Sequence, residues 1–134
     1  MKAFLGGMLA GIVFGALLTV MASRVIESRR EPWPDAVMTV MSHEFKTVRQ
    51  ASKSGECTSP ASASSLQMMG LLAHDIEPAL MPTPGDRVFT QYATDLRSAI
   101  AKVAAAGSDC KQFTAAVSDI GQACDACHRD YKDR

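Results

Sequence analysis

From Pro34 to the end of the chain, apolar side chains recur every three or four residues in four runs. That spacing puts each run on one face of a helix, and no run alternates as a strand would. A helix with one apolar stripe must bury it, and here the stripes can be buried only against one another. The breaks between runs are short, so successive helices run antiparallel. The sequence therefore predicts an all-α fold, an antiparallel up-down-up-down four-helix bundle. The first helix starts near Pro34 or Asp35 and reaches about Ser52, presenting Val37, Met38, Met41, Phe45 and Val48. "SKSGECTSP" breaks it. Ser59 followed by Pro60 is a start signal, a capping hydroxyl and then a proline whose missing N–H costs nothing in the first turn. The second helix runs to about Leu80 and presents Leu66, Met69, Ala73, Ile76 and Leu80. Thr83-Pro84 repeats the start signal and predicts a third helix with Val88, Tyr92, Leu96, Ile100 and Val103 inward. Gly107 is the expected stop. Ser108 is the expected cap of a fourth helix presenting Phe113, Val117, Ile120, Cys124 and Cys127. A core of this size is marginal, and a covalent cofactor or a disulfide would strengthen it.

Ahead of the bundle, the twenty residues Ala3–Ala22 carry no charge. As a helix they would rise about 30 Å, the thickness of a bilayer core. Two readings are open: a retained transmembrane anchor, or a secretory signal cut near Ala22, where "VMAS" supplies small residues. Gly7, Gly11 and Gly15 share one helix face, which would let a partner helix approach closely. The expected organisation is an anchor or signal over 1–23, a linker over 24–33 and a bundle domain over 34–134. Trp33, between two linker prolines, suits either a membrane-interface anchor or ordinary packing. Lys2 argues for a cytoplasmic N-terminus, whereas Arg24, Arg29 and Arg30 argue the reverse.

The fourth run ends in Cys124-Asp125-Ala126-Cys127-His128. Cys-x-x-Cys-His is the attachment signature of c-type haem. Two thiols at this spacing can form thioethers along one edge of the porphyrin, and the adjacent histidine then ligates the iron. The competing readings are a redox dithiol and a zinc half-site. Zinc wants two more ligands, and Cys57 and Cys110 belong at the far end of the bundle. Thioether attachment is made outside the cytoplasm, so the domain is expected in the periplasm despite the arginines. Residues 31–134 hold 10 bases and 13 acids, which leaves no basic stripe for nucleic acid. No acid–base pair or activated nucleophile stands beside the motif, so no enzyme activity is expected.

With "SDIGQACDACHRDYK" closing the fourth helix and "VMTVMSHEF" in the first, the chain resembles the cytochrome c′ and cytochrome c556 family, the class II c-type cytochromes. The resemblance covers roughly residues 34–134. It implies one covalent haem c per chain, held by Cys124, Cys127 and His128. In that family the residue at the distal haem face comes from the first helix. Cytochromes c556 have methionine there, and the match of "VMTVM" puts Met38 at that position. Met41 is the alternative, and a third reading leaves the iron without a protein sixth ligand. His43 falls off the Met38–Met41–Phe45 face and is expected in solvent. Cytochromes c′ often carry an arginine one turn earlier, where this chain has Pro34. A propionate partner must come from elsewhere, among Arg30, Arg87 and Arg129. His74 is expected at the surface.

With both axial positions filled, the centre would pass single electrons to redox partner proteins in the periplasm or membrane. The expected location is the bacterial inner membrane, single-pass with the haem domain in the periplasm, or the soluble periplasm after cleavage. The alternatives are a five-coordinate binder of nitric oxide or carbon monoxide, and a haem-bearing accessory subunit of a larger membrane electron-transport complex. Family members often form homodimers through the first two helices. Cys57 lies in the first connection and Cys110 just after the third, which share one end of such a bundle. In an oxidising compartment paired thiols bridge, so a Cys57–Cys110 disulfide is expected, stabilising by about 3–4 kcal/mol.

Overall fold

The structure, a computed structural model of the chain, describes residues 12, 14–21 and 32–132. The chain divides into two units, 1–32 and 33–134. In the first, residues 14–21 are helical. No helix of the described residues is long and apolar enough to cross a membrane. Most of Ala3–Ala22, with Gly7 and Gly11, lies outside the described residues, as does the linker before Pro32.

Beyond these, the described residues form four helices: α1 (Pro32–Ser54), α2 (Pro60–Leu80), α3 (Arg87–Ala105) and α4 (Cys110–Tyr131). Helix α1 begins slightly ahead of the expected Pro34. Both Pro32 and Pro34 fall in its first turn, where a missing N–H has no partner to lose. Helix α2 starts as its sequence dictates, with Ser59 Oγ accepting from the Ser62 N–H at 3.2 Å and Pro60 in the first turn.

Two expected caps are corrected. The cap of α3 is Asp86 rather than Thr83, its Oδ1 accepting from the N–H groups of Val88 (3.0 Å) and Phe89 (3.1 Å). Pro84-Gly85 is used up in a turn instead. Gly85 sits at φ +81°, and the Asp86 N–H donates to the Thr83 carbonyl at 3.1 Å. Proline followed by a left-handed glycine is what a type II turn requires. Likewise Asp109, not Ser108, caps α4, accepting from the N–H groups of Lys111 and Gln112. A carboxylate at that place also complements the positive end of the helix dipole. Gly107 ends α3 at φ +56°, a conformation that costs glycine little.

Helix α3 packs against both α2 and α4. Arg97 reaches Glu77 on α2 at 2.8 Å, and Lys102 reaches Asp119 on α4 at 3.2 Å. Helix α1 pairs with α4. Ser52 Oγ donates to Thr114 Oγ1 at 3.1 Å, and a Cβ at Gly121 would lie 3.7 Å from the Phe45 ring. The core they enclose holds Val37, Met41 and Val48 of α1, Met69, Ala73 and Ile76 of α2, and Phe113, Val117 and Ile120 of α4.

In α3 Leu96, Ile100 and Val103 are buried as expected, but the buried face differs from the expected one in the first two turns. Phe89 and Ala93 are inside, while Val88 is 55% exposed and Tyr92 half-buried. The reason is angular. Residues spaced strictly by four drift about 40° per step around a helix of 3.6 residues per turn. The alternation Phe89, Ala93, Leu96, Ile100, Val103 stays on one face.

Helix directions bring the 81–86 turn to the C-terminal end of α4, where the Tyr131 hydroxyl donates to Asp86 Oδ2 at 2.9 Å. At the opposite end a disulfide joins Cys57 to Cys110, with Cα atoms 5.5 Å apart. Together these contacts give the four helices an up-down-up-down course.

Candidate functional site

The last two turns of α4 carry Cys124, Cys127 and His128. Cys124 and Cys127 are half-buried and pack against the core beside Ala123 and Tyr131. Neither is in a disulfide. Burial pushes the Cys124 thiol up to about 11, with the Asp125 carboxylate and Cys127 adding to it. Cys127 is raised by burial and then by Asp130. Redox-active dithiols need the opposite, a thiol pKa lowered toward neutrality. Among the described residues no three His, Cys, Asp or Glu side chains are grouped so as to hold a metal ion. Thioether formation consumes an S–H group, which both cysteines retain at neutral pH. The donor set therefore fits covalent haem better than a dithiol switch or zinc. His128 follows Cys127 directly, and its ring is exposed, with no hydrogen bond to a described residue.

What faces the motif is set by the α1–α4 register. Ser52 meets Thr114 and Phe45 meets Gly121, so each step back along α1 matches an equal step forward along α4. Two further turns along the same register bring Met38 level with His128. Met38 is half-buried against the core edge, whereas Met41 is 4% exposed and fully enclosed. His43 is exposed. Of the three arginines considered for a propionate, Arg87 and Arg129 are exposed and Arg30 lies outside the described residues. His74 is exposed and lines an open groove of about 620 Å³ between α2 and α3, with Leu66, Gly70 and Ile100. That groove runs toward Cys57 and Phe113, away from the motif.

Sequence reasoning missed Tyr131 and Asp86. The Tyr131 ring meets Phe89 edge-on, centroids 5.1 Å apart, and Tyr92 at 6.1 Å. Tyr92 in turn donates to Asp130 Oδ2 at 2.6 Å, which keeps its phenol pKa above the usual range. A signal was present, since Tyr131 lies one turn beyond Cys127 and so shares its face.

No protein-family model matches the sequence. The chain is 31% identical over 132 residues to a cytochrome c-554 of Cereibacter sphaeroides, the match covering 83% of this chain and 82% of that protein. A second cytochrome c-554 from Cereibacter sphaeroides is 38% identical over 58 residues, 42% of each chain. Among solved structures, cytochrome c′ from Rubrivivax gelatinosus superposes with a TM-score of 0.58 at 21% identity, over 74% of this chain and 91% of that one. This last likeness is one of fold.

Proposed function

Because the chain belongs to the class II c-type cytochromes and so carries a covalent haem c, we propose that it is a one-electron carrier, with Cys124 and Cys127 holding the cofactor and His128 and Met38 its axial ligands. The observation that carries this reading is the α1–α4 register, which sets Met38 level with His128. The haem supplies a one-electron couple, and a thioether axial ligand raises its potential relative to two nitrogen ligands. The protein's part is to hold the two ligands on opposite helices and to keep water from the space between them. Val37 and Met41, neighbours of Met38 on α1, and Ile120, one turn before Cys124, are buried apolar side chains. Nothing in this arrangement offers an acid–base pair, and the protein is read as a carrier rather than an enzyme.

A visible absorption spectrum tests the assignment. Native protein should be low-spin, and Met38→Ala should become high-spin and bind carbon monoxide. An unchanged spectrum in Met38→Ala sinks the assignment and leaves Met41 or no protein ligand. The second reading, a five-coordinate binder of nitric oxide or carbon monoxide in which Met38 only packs, draws on the fold likeness to cytochrome c′. It requires a high-spin spectrum in the native protein.

The place of action is the periplasm, because thioether attachment is made there, and the partners are redox proteins of that compartment or its membrane. A retained 1–23 anchor, docking through Gly7, Gly11 and Gly15, would hold the carrier beside them. The mass of the native protein tests this: a mature N-terminus at Ser23 in the soluble fraction removes the anchor.

A further inference from the structure

We propose that Tyr131 and Asp86 are positioning residues for His128, tying the last turn of α4 to the start of α3. This rests on His128 being an axial ligand, but not on what lies opposite it. Helix termini leave their last carbonyls without intrahelical partners and fray unless held. His128 sits in such a terminus: its carbonyl accepts from the N–H of Lys132, the residue that caps the end of α4, at 3.2 Å. Three residues beyond His128, the Tyr131 hydroxyl donates to Asp86 Oδ2 at 2.9 Å, in a partly buried setting. The other oxygen of the same carboxylate caps α3 through Val88 and Phe89. One side chain thus serves as the cap of one helix and the anchor of another. The ring adds to the tie, standing edge-on to Phe89, a buried residue of the helix that Asp86 caps. Beside it the Tyr92–Asp130 bond makes a second link between the same two segments.

An axial histidine binds best when outside contacts fix its ring orientation. The ring of His128 has no such hydrogen bond of its own to a described residue, so its orientation is inherited from the turn that carries it. Tyr131 and Asp86 hold that turn.

The test uses the full-length haem-loaded protein and two conservative variants. Tyr131→Phe keeps the ring contacts and removes the hydroxyl. Asp86→Asn keeps an oxygen for the α3 cap and removes the carboxylate that Tyr131 binds. Hydrogen exchange at the Lys132 amide should speed about fivefold in each, as expected for the loss of one net hydrogen bond of ~1 kcal/mol. The midpoint potential should shift, and the axial-ligand signature in electron paramagnetic resonance should broaden. Unchanged exchange in both variants overturns the tie. Faster exchange with potential and resonance unchanged overturns the positioning role, since a purely structural contact would behave so. Each comparison is between variant and native protein, so it can be read whether the native iron is low-spin or high-spin. A high-spin native spectrum therefore counts against Met38 alone.

Discussion

Gly121 occupies an interior position of α4, facing the Phe45 ring of α1. Glycine there lowers helix stability by about 1 kcal/mol relative to alanine, because it gives up more backbone freedom on folding. A Cβ at this position would meet the Phe45 ring at 3.7 Å, an ordinary contact distance, so nothing must move to admit it. Gly121→Ala should therefore stabilise the protein by about 0.5–1 kcal/mol, read as a higher urea midpoint. A lower midpoint would mean that the two helices approach more closely than this contact requires. Met38 is a residue-scale question of another kind. It is half-buried at the edge of the core, whereas Met41 is enclosed. Sequence spacing alone placed both on the inward face and could not separate them.

Between elements, the Arg97–Glu77 pair links α3 to α2 with about a quarter of each side chain exposed. The Arg97 guanidinium, helped by the Thr90 hydroxyl, holds the Glu77 carboxyl below its usual 4.5, and burial opposes the shift. A carboxyl whose folded pKa is depressed contributes stability that is complete above its unfolded value. That contribution is lost as the pH falls through the folded value. Thermal melts from about pH 6 down to about pH 3 should thus show a loss on acidification that is smaller in Arg97→Met. At neutral pH the same substitution should cost about 0.5–1 kcal/mol, the range of a solvent-screened pair. Identical acid limbs in the two proteins would show that this pair carries no linkage. The caps belong to this scale too. The sequence reading places these caps at Thr83 and Ser108, and the structure places them at Asp86 and Asp109. Which capping side chain is used depends on where the preceding turn ends.

Across the whole molecule, the bundle is closed at both ends by different chemistry. One end holds the Cys-x-x-Cys-His motif, with Tyr131 joined to Asp86; the other holds the Cys57–Cys110 disulfide. The bridge spans a sequence separation of 53 residues. In the chain-entropy account a loop of that length stabilises by about 4 kcal/mol. Replacing both cysteines by serine should lower the unfolding free energy by about that amount, while the visible spectrum stays unchanged because the haem end is remote. Alkylation of the unreduced, denatured holoprotein should label no cysteine, two being bridged and two held as thioethers. Label on Cys57 and Cys110 would refute the bridge.

The sequence by itself determined the four helices, the start of α2 at Ser59-Pro60, the stop at Gly107 and the attachment motif. Each depends on residues within one or two turns of one another, so composition and spacing carry the information. Only the tertiary structure showed that α3 enters the core through Phe89 and Ala93 rather than Val88 and Tyr92 in its first two turns. The same holds for the level of Met38 against His128, which follows from contacts at Phe45 and Ser52. Tyr131 and Asp86 stand 45 residues apart, and Tyr92 and Asp130 stand 38 apart. No local rule links residues so distant, and their pairing exists only once antiparallel packing brings the turn before α3 to the end of α4.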